Sequence, residues 1–268
     1  MDTKFLPHFL AVALLAGMSA AQAGTISLNG TIRDFCAPDI IDDATSTTIC
    51  TRLSDFEGAI TGKVTGMVSN TLNAQGLPDY VGGGIGATNA SNFAKWYQDV
   101  PGFNQSQAYT LTLNETGTGT GVYSYSNSDF FPIDGQLFGN QGRNHNYHFT
   151  LHLEGQASFT ASDLFSFTGD DDLWVYLNNT LIMDLGGVHA AESDTISGAD
   201  LINNYGLAAD TLYDIDIFFA ERHTVASNFH ITTGFNITPK MPTPATSLLL
   251  GIGMVALGWA KRHNKTAA

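Results

Sequence analysis

The sequence predicts an all-β protein, an antiparallel β-sandwich with long loops, and three observations carry that expectation. Apolar residues recur at every second position in several runs, the period of a strand with one face on a core. Clusters of Gly, Asn and Ser cut those runs into short lengths, as in Gly82-Gly83-Gly84, Thr116-Gly117-Thr118-Gly119, Ser126-Asn127-Ser128 and the stretch from Gly139 to Asn144. No long segment follows the 3.6-residue period of a helix, and no fixed-period repeat is evident.

The elements follow in chain order. Lys4, the apolar run from Phe9 to Met18 and Ala21-Gln22-Ala23 read as a secretory signal, residues 1–23, cleaved before Gly24, with a core helix or an uncleaved anchor as the other reading. The folded part is therefore expected outside the cytoplasm. Cys36 and Cys50 are the two cysteines, and in an exported chain they are expected to pair and staple the Asp39-to-Thr48 excursion, with separate thiols as the other reading. Tyr109, Leu111 and Leu113 share one strand face, with Thr110 and Thr112 opposite. Tyr147, Phe149, Leu151 and Leu153 alternate with His148, Thr150, His152 and Glu154. Tyr213, Ile215, Ile217 and Phe219 repeat the pattern, as do Phe229, Ile231, Thr233 and Phe235. The abundant Thr suits the pleated surface, being β-branched. Pro239, Pro242 and Pro244 then break the chain before an apolar helix expected over 247–260 and the basic end Lys261-Arg262-His263-Asn264-Lys265. Fourteen helical residues cover about 21 Å, short of a hydrocarbon core of roughly 30 Å, and the basic end fits the positive-inside rule.

Composition excludes some partners. Charged residues make up 13% of the chain against 43% hydrophobic, so Thr, Asn and Ser must solubilise it. The chain holds 11 Lys and Arg against 25 Asp and Glu, a net charge of −14. Residues 24–240 alone carry −17. Nucleic acid needs a basic footprint that is missing here. Seventeen Phe, nine Tyr and three Trp exclude a disordered acidic segment.

The sharpest local signal runs from Phe165 to His189, FSFTGDDDLWVYLNNTLIMDLGGVH. Leu173 to Leu177 reads as a strand, Asn178-Asn179 as a two-residue turn, and Thr180 to Asp184 as the return. That turn sets Leu177 against Thr180, Val175 against Ile182 and Leu173 against Asp184. Asp170, Asp171, Asp172 and Asp184 are then expected to converge at one end of a hairpin. Converging carboxylates raise one another's pKa unless a cation compensates, and calcium is the hard cation for such oxygen ligands outside a cell. The plainer reading is a solvated acidic loop. The spacing is not that of an EF-hand, and Gly82 to Gly86 lacks the Lys-Ser/Thr ending of a phosphate loop.

Other residues carry less. Glu221, His223 and Ser227 lie close in sequence, but a turn ion pair between Glu221 and Arg222 and a structural His account for them better than catalysis. His145, His148 and His189 lack a second close-spaced ligand pair of a recognised zinc type. Trp174 and Tyr176 share a hairpin face and are expected to pack against a second layer rather than stack on a sugar.

Two resemblances extend this reading. The blocks Phe167 to Tyr176, Asp184 to His189, Phe218 to His223 and Ser227 to Thr233 resemble the fibro-slime domain. So, in order upstream, do Gly30 to Phe35, Asp55-Phe56-Glu57, Trp96-Tyr97 and Phe130 to Gly135. The resemblance covers residues 28–235 and sets a fibro-slime-like domain at 24–238. It implies a sandwich similar to the sugar-binding domain of protective antigen and flocculin-type adhesins, whose lectin members hold Ca²⁺ through two adjacent Asp joined by a cis peptide. Asp170 and Asp171 take those positions, and Asp172 stands where relatives often have Gly. The end of the chain, residues 239–268, resembles a PEP-CTERM sorting signal, with Pro242 and Pro244 as its motif and Thr243 where the family usually has Glu. That resemblance implies an exosortase-type processing enzyme, a membrane attachment before processing, and the cell envelope or exopolysaccharide matrix of a Gram-negative bacterium as destination, with a simple C-terminal membrane anchor as the other reading of the tail. The function expected is a calcium-dependent carbohydrate-binding or adhesive module with a glycan or exopolysaccharide as partner. A structural matrix protein without a specific ligand is the alternative. An extracellular hydrolase ranks last, because no acid pair or nucleophile motif stands out.

Overall fold

The computed structural model describes residues 23–36 and 50–240. The expected signal segment, the sorting motif Pro242 and Pro244 and the apolar helix 247–260 lie outside the described residues. Among those described, no helix is long and apolar enough to cross a membrane. The strands and helices run β1 (Thr25–Phe35), β2 (Val68–Leu72), β3 (Pro78–Tyr80), α1 (Ala90–Phe93), β4 (Asn104–Glu115), β5 (Tyr123–Asn127), β6 (Phe149–Ser158), β7 (Leu164–Gly169), β8 (Asp172–Leu177), β9 (Thr180–Leu185), β10 (Glu192–Ser197), α2 (Gly198–Tyr205), β11 (Tyr213–Glu221), β12 (Phe229–Thr233) and β13 (Asn236–Pro239). The all-β expectation holds.

The strands form one antiparallel sheet in the order β10-β7-β12-β5-β4-β1-β6-β11-β8-β9-β2-β3, with β13 also paired to β6. The sheet curls until β10, at one end, approaches β9 near the other. Its halves thus face each other across a core of Leu28, Ile32, Leu111, Leu151, Leu153, Phe165, Phe167, Ile217, Phe219 and Phe229, among others. These are the residues that period-two alternation turns inward. Phe130 stacks on Phe229 at 4.6 Å between ring centroids, which plugs the core from a loop.

A second apolar cluster covers the other face of β8 and β11. Leu53, Phe56, Met67, Phe93, Trp96 and Tyr97 pack there against Trp174, Tyr176 and Phe218. Every residue of β8 is therefore buried, and so is β11 from Ile215 onward. Trp174 and Tyr176 are fully buried, as the packing expectation has it.

The hairpin register differs from the expected one. Leu177 pairs with Thr180 as anticipated, but an irregularity between Val175 and Tyr176 moves the pairing on, so that Trp174 faces Asp184 and Leu173 faces Leu185. An extra residue in one strand is a bulge. Asn178 and Asn179 take φ of 50° and 62°, the left-handed turn that Asn tolerates. Cys36 and Cys50 form a disulfide.

Candidate functional site

Three connections cross between the two halves of the curled sheet at one rim. Strands β7, β10 and β12 neighbour one another in one half, while β8, β9 and β11 do so in the other. The links β7 to β8, β9 to β10 and β11 to β12 must each pass from half to half. The first is Asp170-Asp171, joined by a cis peptide. The second holds Gly186 to Ala191, and the third runs from Arg222 to Asn228. Residues of all three, with Ile60, line a cavity of 440 Å³.

Hydrogen bonds fix the links to one another. Asp170 accepts from Asn228 twice, from the backbone N at 2.5 Å and the side-chain Nδ2 at 2.8 Å. Asp171 Oδ2 accepts from the Arg222 backbone N at 3.0 Å. Both carboxylates line the cavity. Beside them Glu221 is fully buried, with Oε1 accepting from His223 N and Oε2 without a hydrogen-bond partner. Ser227 Oγ is buried without a partner as well.

Asp172 and Asp184 do not join the pair. Asp172 pairs with Arg222 Nε at 2.5 Å and accepts from Gly187 N at 2.5 Å. Arg222 stacks on Trp96, 4.6 Å from the ring, and donates from Nη1 to Asp55 O. Asp184 accepts from Trp174 Nε1 at 3.0 Å and Gly66 N at 2.7 Å. The expected convergence of four carboxylates is thus corrected to two. Asp172 begins a strand, so its side chain alternates away from its neighbour's, and the bulge turns Asp184 toward Trp174. Arg222 belongs to Asp172, not to the expected ion pair with Glu221.

The electrostatics are unbalanced. Asp170, Asp171, Asp172 and Glu221 are all buried, and one buried guanidinium, Arg222, stands among them. Burial pushes the Asp171 carboxyl up to about 8, against the opposing pull of Arg222 and with Asp172 and Asp170 adding to the rise. Burial likewise pushes Glu221 well above the usual carboxylate range, with Asp171 and Asp170 reinforcing it. Such a donor set, hard oxygens with surplus negative charge, fits a divalent cation of the calcium type. When bound there, the cation would be held by Asp170 and Asp171.

The remaining sequence candidates are dispersed. The His223 ring meets Thr224 O at 2.8 Å and Glu57 at 4.0 Å, and Ser227 Oγ has no hydrogen-bond partner, so the two do not make a nucleophile and base pair. His145 lies 2.6 Å from Asp134, His148 2.9 Å from Glu57, and the His189 ring nitrogens 2.8 and 3.1 Å from Ala190 O and Leu185 O. They occupy separate sites. Asn228, which clasps Asp170, was not singled out from the sequence. Its signal was its place in the block Ser227-Asn228-Phe229.

The protein psiC of Dictyostelium discoideum is 36% identical over 205 residues, which are 70% of this chain and 39% of psiC. The chain therefore spans well under half the length of this relative. Among solved structures, the PA14 domain of the MpAFP antifreeze protein is 8% identical with a TM-score of 0.33, covering 85% of this chain and all of that one. The PA14 sugar-binding domain from an RTX adhesin is 12% identical with a TM-score of 0.27, covering 43% of this chain and 74% of that domain. Over residues 124–245, which include the three crossings, the chain matches the PA14 domain family.

Proposed function

We propose that this protein is an exported adhesive module that binds a glycan through a calcium ion held by Asp170 and Asp171. One observation carries the reading: Asp170 and Asp171 line a cavity of 440 Å³ with buried Glu221 next in chain to Arg222, whose guanidinium is paired with Asp172. Without a cation, burial raises the Asp171 and Glu221 carboxyls and favours their protonated forms, whereas a divalent cation would favour the charged ones. Calcium takes oxygen ligands from carboxylates, amide or backbone carbonyls and water, which leaves positions for ligand hydroxyls. The match to the PA14 domain family over residues 124–245 supports a carbohydrate as that ligand. The fibro-slime and PEP-CTERM resemblances support export to the envelope or exopolysaccharide matrix.

The test is a calcium titration of the full chain followed by a glycan array with and without chelator. Calcium is expected to raise the melting temperature. Asp171→Asn is expected to abolish both that rise and glycan retention. An unchanged melting temperature in calcium, or glycan retention that survives both chelator and Asp171→Asn, overturns the reading. Mass spectrometry of matrix-associated protein checks the address: a species that still contains Trp259 contradicts removal of the tail.

A further inference from the structure

We propose that His152, Glu154 and Asp216 form a binding site for a divalent transition metal of the zinc class, on the sheet face turned away from the main core and independent of the calcium reading. His152 and Glu154 are two apart on β6 and so share a face, opposite the buried Leu151 and Leu153. In the pairing of β6 with β11, Asp216 stands directly across from Glu154, and Phe218 across from His152. One ligand atom from each of His152, Glu154 and Asp216 lies within 4.8 Å of the others.

Two features point to a cation there. Carboxylates directly opposite on paired strands repel, and Asp216 is buried, so solvent screens that repulsion poorly. The imidazole is also already held in place. Its Nε2 lies 2.9 Å from Asp216 Oδ1, a hydrogen bond that metal binding would replace with a bond from each atom to the ion, and its ring stacks on Phe218 at 4.1 Å between centroids. One imidazole nitrogen with two carboxylate oxygens suits zinc, whereas an all-oxygen pair such as Asp170 and Asp171 suits calcium. A hollow of 480 Å³, walled in part by Asn179, Leu212 and Tyr213, opens above the three side chains. It has room for the water or external donor that completes zinc coordination.

Lys240 is the competitor. Its Nζ sits 3.4 Å from Glu154 and 3.4 Å from Asp214, with more than a third of the side chain exposed. A metal would take Glu154 and leave Lys240 with Asp214.

The full chain, with its disulfide intact and in excess calcium, is titrated with Zn²⁺ by calorimetry. One zinc per chain is expected, with micromolar affinity and a rise in melting temperature. His152→Gln and Glu154→Gln should each weaken binding roughly tenfold or more, Lys240→Ala should tighten it, and Asp171→Asn should leave it unchanged. The Glu154 side chain is exposed enough for Glu154→Gln to fold, so it carries the test if His152→Gln does not. The proposal is overturned if zinc fails to bind, or if binding is indifferent to Glu154→Gln. Loss of zinc in Asp171→Asn, or no tightening in Lys240→Ala, overturns it as well.

Discussion

Arg222 shows how one residue is fitted to several demands. Its guanidinium neutralises Asp172, lies over Trp96 and caps Asp55 O, all with 2% or less of the residue exposed. Truncation would strand a buried carboxylate, so Arg222→Met is expected to cost about 3–5 kcal/mol in urea unfolding. Arg222→Lys should recover little of it, because an ammonium cannot fork toward Asp172 and Asp55 together. Asp34 makes a prediction in pH. It is buried and accepts from Phe138 N, and burial raises its carboxyl to about 7. The folded state therefore favours the protonated acid. Stability from this group is full below about pH 4 and lost as the pH rises through about 7. Asp34→Asn should gain on the parent protein by roughly 2 kcal/mol between pH 5 and pH 8. Parallel urea curves at the two pH values read this directly, and a constant difference between the two proteins refutes it.

At the scale of elements, the strands were legible and their partners were not. Alternation marks Phe149, Leu151 and Leu153 as one face of β6, and the structure buries them. Trp174 and Tyr176 were expected to pack against a second layer, and that layer is the cluster around Trp96, which comes from residues of irregular spacing. The two-residue turn was read correctly at Asn178-Asn179, but a bulge a few residues away shifted Asp184 by one position. Close strand approach gives a sharper prediction. A Cβ on Gly30 would come within 1.9 Å of the His152 carbonyl oxygen on β6. Gly30→Ala must push β1 from β6 and is expected to cost about 2 kcal/mol. Gly58→Ala, where the nearest atom is 3.7 Å away, should be neutral. Thermal melts of the two variants separate them.

At the scale of the whole molecule, the described residues form a curled sheet closed by side-chain and loop contacts. The Cys36–Cys50 disulfide ties the end of β1 to the chain leading into the outer cluster, since Leu53 N bonds Cys36 O. Reduction is expected to lower stability by about 3 kcal/mol in the chain-entropy account. Equal unfolding midpoints with and without reductant would show that the loop is held by other contacts. By itself the sequence determined the strand content, the acidity and the block of acids at residues 170–172, because each is a matter of local pattern or of counting, while the pairing of the two cysteines was an expectation that the structure decided. Only the tertiary structure decided which carboxylates share a cavity and which are spent on Arg222 and Trp174. It alone brought Asn228 to Asp170 and set Asp216 against Glu154. Side-chain direction follows from strand register, bulges and the crossing of connections between sheet halves, and those depend on contacts between residues far apart in the chain.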